Sequence, residues 1–215
     1  MDFENFIQQL AHYLTQPLPG EAAQFKMAPA RRLTFKEYYE EGKINPKQSA
    51  VLICLYPYQD FVYTVLTLRP SEFGIHSDQV SFPGGRFEEA DESLQATALR
   101  ETYEEIGIES SELNVIGKLT PIYIPVSNYL VHPFIAVSYS RPEFSLNQNE
   151  VKQIMEIEIS IFIKEEIKGF GIFISGRKEK IDAPFYEVQQ QKIWGATAMI
   201  LSEFEFIIQP LLTSS

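Results

Sequence analysis

The sequence predicts an α/β (α+β) fold in which one mixed β-sheet is sandwiched between helices. Three observations indicate it: β-branched apolar runs of strand length, segments with apolar residues at helical spacing, and the way these alternate along the chain. The 215 residues suffice for one sizeable core, and 45% hydrophobic with 22% charged residues is typical of a globular protein. We expect an N-terminal helix and arm, residues 1–46, packed on one domain, residues 47–215.

The first element is an amphipathic helix at residues 2–16. Its apolar residues follow helical spacing, namely Phe3, Phe6, Ile7, Leu10, Tyr13 and Leu14. Residues 17–48 then predict a loop-rich arm with one short helix. Arg31 and Arg32 in this arm either face an anionic ligand or lie in solvent, and the sequence leaves both open.

Strand signals begin at residue 50. Residues 50–56 and 61–68 are apolar runs separated by PYQD, which predicts a hairpin. The single cysteine, Cys54, lies in the first run and is expected to be a small core residue. Later strands are expected at 113–120, 122–124, 129–139 and near 156–159, followed by a short helix after Ser160, a hairpin of 185–187 with 192–194, and a closing helix at 196–212.

Residues 81–108, SFPGGRFEEADESLQATALRETYEEIGI, predict a helix with an acidic face. Asp91 is the expected N-cap with Glu92 in the first turn, and Gly107 stands where a left-handed residue would end the helix. An apolar stripe is expected to face the core; it consists of Ala96, Leu99, Tyr103 and Ile106. At ~100° per residue, three glutamates fall on the opposite side of the wheel, Glu101, Glu104 and Glu105.

This carboxylate cluster has two interpretations. One is a solvated helix face. The other is a metal site, because hard divalent ions such as Mg²⁺ or Mn²⁺ prefer oxygen ligands, and the preceding Gly84 and Gly85 would let a backbone carbonyl approach. Arg100 is placed to brace Glu104 at i+4 or to reach back to Asp91 or Glu92.

The formal net charge of -11 argues against nucleic acid as a partner, since phosphate backbones need a basic face. It is compatible with a small phosphorylated molecule held through divalent metals. No apolar run approaches the ~20 residues of a membrane helix, and the N-terminus lacks signal-peptide features, so we expect a cytoplasmic protein that does not bind membranes. A homodimer stays open.

The acidic segment resembles the signature of the Nudix hydrolases. Residues 100–108, RETYEEIGI, fit the second half of that signature, with Thr102 at a usually apolar position, and Glu92 stands at the correct distance before Arg100. The signature glycine is displaced, because Gly85 comes one residue earlier than in the general pattern.

In this displaced glycine the sequence resembles a coenzyme A pyrophosphatase-like subgroup of the family. In that subgroup a longer loop follows Phe-Pro-Gly-Gly, and an aspartate stands at the place of Asp91. Residues 66–85, LTLRPSEFGIHSDQVSFPGG, resemble the subgroup's extra motif, and residues 193–198, IWGATA, are also typical of it. The resemblance covers roughly residues 47–212. Gly74 and Asp78 replace the subgroup's usual arginine and glycine, which removes a phosphate-binding candidate and adds a charge that would repel a 3′-phosphate.

The resemblance implies divalent-metal-dependent hydrolysis of the pyrophosphate bond of a nucleoside diphosphate derivative. For coenzyme A or an acyl-coenzyme A, the products would be 3′,5′-ADP and (acyl-)4′-phosphopantetheine. The alternatives are a Nudix pyrophosphatase for ADP-ribose, NADH or a nucleoside triphosphate, and a non-catalytic ligand-sensing module that has kept the fold.

Residue roles follow from the same resemblance. The implied metal ligands are Glu101, Glu104, Glu105 and the carbonyl of Gly85. The general base is expected to be Glu104, with Glu150 in the later loop NQNE as the alternative, and Arg100 completes the catalytic set by holding the ligands in position. Implied substrate-binding residues are Arg69, His76 and Gln79, although Arg69 could instead form a surface ion pair and His76 could be structural. Aromatic residues of the later strands either stack on an adenine or belong to the core; they are Tyr123, Tyr129 and Phe134.

Overall fold

The computed structural model describes residues 2–30, 32–40, 45–70, 79–174 and 179–213. The helices are α1 (Phe3–Leu14), α2 (Glu21–Gln24), α3 (Phe35–Glu40), α4 (Leu94–Ile106) and α5 (Gly195–Thr213). The strands are β1 (Lys47–Tyr58), β2 (Phe61–Leu68), β3 (Val80–Ser81), β4 (Gly84–Arg86), β5 (Asn114–Lys118), β6 (Ile122–Ile124), β7 (Tyr129–Val137), β8 (Gln153–Glu158), β9 (Lys168–Ile174), β10 (Lys180–Val188) and β11 (Gln191–Trp194).

An eight-stranded mixed sheet forms the centre of the protein. Its main order is β3-β2-β1-β7-β5, with β4 paired to β1, β6 to β7 and β8 to β2. Strands β1 and β7 run parallel, and the remaining pairs of this sheet are antiparallel. A smaller three-stranded sheet has the order β11-β10-β9.

Both faces of β1 are covered, which explains why nearly every side chain of its central part is buried. Alternate residues Leu52, Cys54 and Tyr56 pack on the side of α4. The intervening Ile53 and Leu55 pack into the larger core that α1 and α5 complete. The prediction of a sheet between helices is therefore confirmed, and Cys54 is a fully buried core residue.

The N-terminal arm packs on the sheet through apolar contacts and one buried carboxylate. On α1, Phe6, Ile7 and Leu10 are buried. Glu203 of α5 is fully buried and accepts hydrogen bonds from Gly20 N at 3.1 Å and Gln24 Nε2 at 2.9 Å. It also accepts from Thr120 Oγ1 at 2.7 Å and Thr120 N at 3.2 Å, so one carboxylate joins arm, sheet and closing helix.

Helix α5 corrects the expectation about apolar runs. By length and composition it could cross a membrane, but half of the apolar stretch is buried inside the protein. Its buried side chains, including Met199, Phe204 and Ile207, belong to the main core. The helix therefore serves as a core helix, and Glu203 among these apolar residues has its own hydrogen-bond donors.

Most of the predicted elements are present among the described residues. The β1–β2 hairpin is closed by two left-handed residues, Gln59 and Asp60, and the 185–187 with 192–194 pairing is present. The described residues of the arm contain two short α-helices, α2 and α3, where one was predicted, and neither β3 nor β9 was predicted. Gly84 and Gly85 lie in strand β4 instead of a free loop, and α4 begins later than expected.

The start of α4 shows why the Asp91 cap prediction was wrong. Ser93 has an extended conformation (φ -164°, ψ 165°), and its side chain accepts a hydrogen bond from Ala96 N at 3.1 Å, which makes it the N-cap. Asp91 binds Arg100 instead. Glu92 accordingly precedes the helix and does not lie in its first turn. At the other end Gly107 has φ +78°, as predicted for the residue that ends the helix.

Candidate active site

Helix α4 turns two of its glutamates inward, which corrects the predicted orientation. Glu101 and Glu105 are 8% and 3% exposed, whereas Tyr103, predicted to face the core, is 50% exposed. The face towards the sheet includes Ala98, Thr102 and Ile106. Thr102 fits there because its hydroxyl donates to the carbonyl of Ala98 at 2.7 Å, so the polar group is satisfied within the helix. The spacing of apolar residues predicted the wrong buried face of α4, because two carboxylates occupy buried positions there.

The two glycines bring strand β4 against these glutamates. Gly84 and Gly85 pair with Val51 and Ala50 of β1. A Cβ on Gly85 would lie 2.4 Å from the carboxylate carbon of Glu101, so only glycine leaves room for that carboxylate. Gly84 has φ +153°, and its amide N–H donates to Glu105 Oε2 at 3.3 Å.

Three carboxylates converge at this place. Oxygen atoms of Glu101, Glu105 and Glu150 all lie within 4.8 Å of one another, with the first two buried and Glu150 exposed. Burial raises the pKa of Glu105 to about 8, while Arg69 and the Gly84 amide oppose this and the neighbouring Glu101 and Glu150 add to it. Burial also raises the pKa of Glu101, against the effect of Arg100. Among the described residues, two arginines, Arg69 and Arg100, pair with these three carboxylates, which is too little positive charge for all three to be ionised.

Arg100 organises the outer side of the cluster. Its Nε and Nη2 donate to the two oxygens of Asp91 at 2.8 and 3.0 Å. Its Nη1 donates to Glu101 and Glu104, each at 3.0 Å, and Nη2 also donates to the carbonyl of Arg86 at 3.1 Å. A guanidinium has five N–H groups, so all of them are used within the protein. These contacts strongly lower the pKa of Asp91.

Glu104 and Glu150 occupy different positions relative to the buried pair. Glu104 has a 47% exposed side chain that binds Arg100, and it lies outside the group of converging oxygens. Glu150 reaches that group from the loop between β7 and β8, about 45 residues later in the sequence. Among the described residues, the structure thus unites Glu101, Glu105 and Glu150, with Glu104 alongside through Arg100.

The structure describes two of the three predicted substrate-binding residues, Arg69 and Gln79. Arg69 Nη2 lies 3.6 Å from Glu105 Oε1, and its backbone N–H donates to the carbonyl of Gln79 at 3.2 Å. Arg69 therefore lies at the edge of the acidic cluster, and Gln79 pairs with it through the backbone. His76 lies outside the described residues.

The remaining aromatic and arginine candidates pack within the scaffold. Tyr123 is buried and packs edge-on against Phe35 and Tyr38 of α3, at 6.1 and 5.2 Å between ring centroids. Arg32 donates to the carbonyl of Tyr123, and burial lowers its pKa, so it is not a solvated side chain. Tyr129 and Phe134 pack against the two cores. Arg31 lies outside the described residues.

The protein also has an open cleft of about 530 Å³. Its described lining consists of Pro70, Leu146, Gln148, Val151 and Lys152. Pro70 follows Arg69, and Val151 follows Glu150, so the lining adjoins in sequence one residue of the cluster and the arginine that pairs with Glu105. The volume is in the range of small-molecule sites.

Comparison with known proteins links this geometry to one family. Residues 46–166 match the NUDIX domain. A chloroplastic protein of Arabidopsis thaliana, Nudix hydrolase 22, is 32% identical over 192 residues, which is 84% of this chain and 63% of that protein. The chain thus spans less than two thirds of that relative.

A human protein, mitochondrial coenzyme A diphosphatase NUDT8, is also 32% identical, over 171 residues that make up 79% of this chain and 71% of the relative. Among solved structures, a MutT/nudix family protein from Enterococcus faecalis superposes with a TM-score of 0.51 at 13% identity, covering 83% of this chain and 71% of that one. This last similarity concerns the fold alone.

Proposed function

Since this chain belongs to the Nudix hydrolase family, we propose that it catalyses divalent-metal-dependent hydrolysis of the pyrophosphate bond in a nucleoside diphosphate derivative. One observation carries the proposal: carboxylate oxygens of Glu101, Glu105 and Glu150 lie within 4.8 Å of one another on two separate elements. Without a cation, this arrangement buries like charges beside each other at a considerable free-energy cost.

The residues present fit Mg²⁺ or Mn²⁺. All three side chains supply carboxylate oxygen, the ligand type that hard divalent ions prefer. Glu101 and Glu105 would hold the ion from the buried side, and the carbonyl of Gly85 and the carboxylate of Glu104 are candidates for further ligands. A bound ion would neutralise the diphosphate and activate a water. Arg100, with every N–H engaged, would position the glutamates without touching the substrate.

Of the two glutamates left open as general base, we favour Glu150. It combines exposure to water with a position among the converging oxygens, whereas Glu104 lies outside that group. Glu150 would take the proton of the attacking water, and Arg69 would face the phosphates from the side of Glu105.

Coenzyme A or an acyl-coenzyme A is the substrate that we favour. The support is the motif of residues 66–85 and the similarity to a coenzyme A diphosphatase. The cleft beside Glu150 and Arg69 has apolar walls with an amide and an ammonium group, which suits an amphipathic chain such as pantetheine. The products would be 3′,5′-ADP and (acyl-)4′-phosphopantetheine. Because Gly74 and Asp78 depart from the pattern of the coenzyme A subgroup, ADP-ribose, NADH and nucleoside triphosphates form the second class of candidate substrates.

A substrate panel tests the proposal. The purified protein is incubated with Mg²⁺ or Mn²⁺ and with coenzyme A, acetyl-coenzyme A, ADP-ribose, NADH or a nucleoside triphosphate, and the products are separated by chromatography. We expect 3′,5′-ADP from coenzyme A, abolished by chelation and reduced about 10²-fold or more in Glu105→Gln and Glu150→Gln. Glu89→Gln, an exposed glutamate of the preceding loop, is the matched control.

The possible outcomes separate the candidates. Cleavage of ADP-ribose with coenzyme A untouched would move the protein to the second substrate class. Nucleotide binding without turnover of any substrate would indicate a ligand-sensing module and would refute the enzymatic proposal.

A further inference from the structure

The loop that carries Glu150 is attached to the end of helix α4. The amide of Ser145 donates to the carbonyl of Ile106 at 2.9 Å, and the amide of Asn147 donates to the carbonyl of Glu105 at 3.0 Å. These bonds satisfy carbonyls that a helix C-terminus otherwise leaves unpaired. A Cβ on Gly107 would lie 2.7 Å from the Ser145 side chain, so the glycine also permits this close approach.

Asn147 is the centre of this attachment. Its side-chain amide donates to Glu150 Oε1 at 3.1 Å, and its side-chain oxygen accepts from the amide of Asn149 at 3.2 Å. Its carbonyl accepts from the amides of Glu150 and Val151 at 2.9 and 2.8 Å. One residue thus binds the backbone of Glu105 and the carboxylate of Glu150.

We propose that Asn147 is a positioning residue that sets the place of the Glu150 carboxylate relative to Glu101 and Glu105. The inference rests on the proposed metal-dependent hydrolysis. Glu150 is exposed, has a flexible side chain, and is repelled by two carboxylates within 4.8 Å. The Asn147 amide holds it in place, and because this donor is neutral, the negative charge needed for a cation is retained.

Three variants test the inference in the full chain. Asn147→Ala removes the donor. Asn147→Asp keeps the side-chain acceptor for the Asn149 amide but places a like charge beside Glu150. Asn149→Ala is the matched control, since Asn149 contributes its backbone amide to this network. Mn²⁺ affinity is measured by electron paramagnetic resonance, turnover by the substrate assay with a pH profile, and folding by thermal denaturation.

We expect Asn147→Ala to weaken Mn²⁺ binding or turnover about 10- to 100-fold, with a larger loss for Asn147→Asp and none for Asn149→Ala. The decisive measurement is a double-mutant cycle with Glu150→Ala. If Asn147 acts through Glu150, Asn147→Ala causes no further loss in the Glu150→Ala background.

Two results would overturn the inference: wild-type Mn²⁺ affinity and turnover in Asn147→Ala, or the same fold-loss with and without Glu150. The Mn²⁺ measurement also separates this inference from the proposed function. If the wild-type protein binds Mn²⁺ but cleaves no substrate, the proposed function is refuted. The effect of Asn147→Ala on Mn²⁺ affinity then still decides whether Asn147 is a positioning residue. A wild-type protein that does not bind Mn²⁺ refutes both.

Discussion

Replacing Gly85 with alanine should damage the proposed metal site while leaving the protein folded. The added Cβ would lie 2.4 Å from the carboxylate carbon and one oxygen of Glu101, and 2.5 Å from the other oxygen. Ordinary contacts for a Cβ begin near 3.4 Å, so the carboxylate must move by 1.0 Å. The clash is with the end of a side chain and Gly85 has no left-handed backbone, so the strand itself can accept alanine.

The displacement of the Glu101 carboxylate should affect activity and metal binding more than stability. We expect the free energy of unfolding to fall by about 1–3 kcal/mol, as for other overpacked positions. Turnover should fall by about 10²-fold, because a misplacement of about 1 Å in a catalytic group has effects of this size. Mn²⁺ affinity should fall by about 10- to 100-fold.

The assay compares two neighbouring glycines. Gly84→Ala places a Cβ 2.4 Å from the backbone carbonyl of Ala50, at φ +153°, so it should destabilise the fold itself. Denaturant unfolding and Mn²⁺ titration of both variants should therefore separate a damaged site from a damaged fold. Wild-type Mn²⁺ affinity and turnover in Gly85→Ala would refute the placement of Glu101 in the metal site.

Three further predictions concern charges. Arg100→Lys keeps the positive charge but has three N–H donors in place of five. It should weaken Mn²⁺ binding about 10-fold and lower the free energy of unfolding in urea by about 1–3 kcal/mol. Unchanged values in both titrations would contradict the role of Arg100 in holding the glutamates in position. Glu203→Ala leaves the donors of Gly20 and Thr120 without their acceptor and removes one of the two acceptors of Gln24. It should lower the free energy of unfolding in urea by about 3–5 kcal/mol, while the folded fraction keeps its Mn²⁺ affinity; a loss below about 1 kcal/mol would argue against it. Burial raises the pKa of Glu105 from 4.5 to about 8, so between these pH values the metal-free folded protein binds one proton more than the unfolded chain. Its free energy of unfolding should therefore fall as the pH rises through this window, and Mg²⁺ should reduce the slope. A flat profile without metal would be inconsistent with the buried carboxylate.

Periodicity and turn chemistry predicted much of the fold. The β1–β2 hairpin, the late hairpin and α5 were all readable because apolar spacing and short turns are local properties. Strand β9 was missed because its glycines, Gly169 and Gly171, interrupt the strand pattern, although the Phe185 ring packs over them.

The sequence pointed to an acidic cluster on α4 but did not reveal its environment. Hydrophobic periodicity places Tyr103 inside and Glu105 outside, yet the structure reverses this, as is typical where function competes with core formation. Glu150 was named as an alternative base from its loop alone. Its convergence with Glu101 and Glu105 depends on backbone bonds between the loop and α4, such as that from Asn147 to Glu105, which sequence spacing does not reveal.

The packing of α1 and α5 on the second face of the sheet also bears on how an expression fragment should be chosen. The matched span, residues 46–166, contains the glutamate cluster but ends before β9–β11 and α5. A fragment trimmed to that span would leave Ile53, Leu55 and Ile135 of the main core facing water, and we expect it to aggregate even though each residue of the proposed metal site is present. We therefore expect the smallest soluble unit of this protein to be larger than the span that identifies its family.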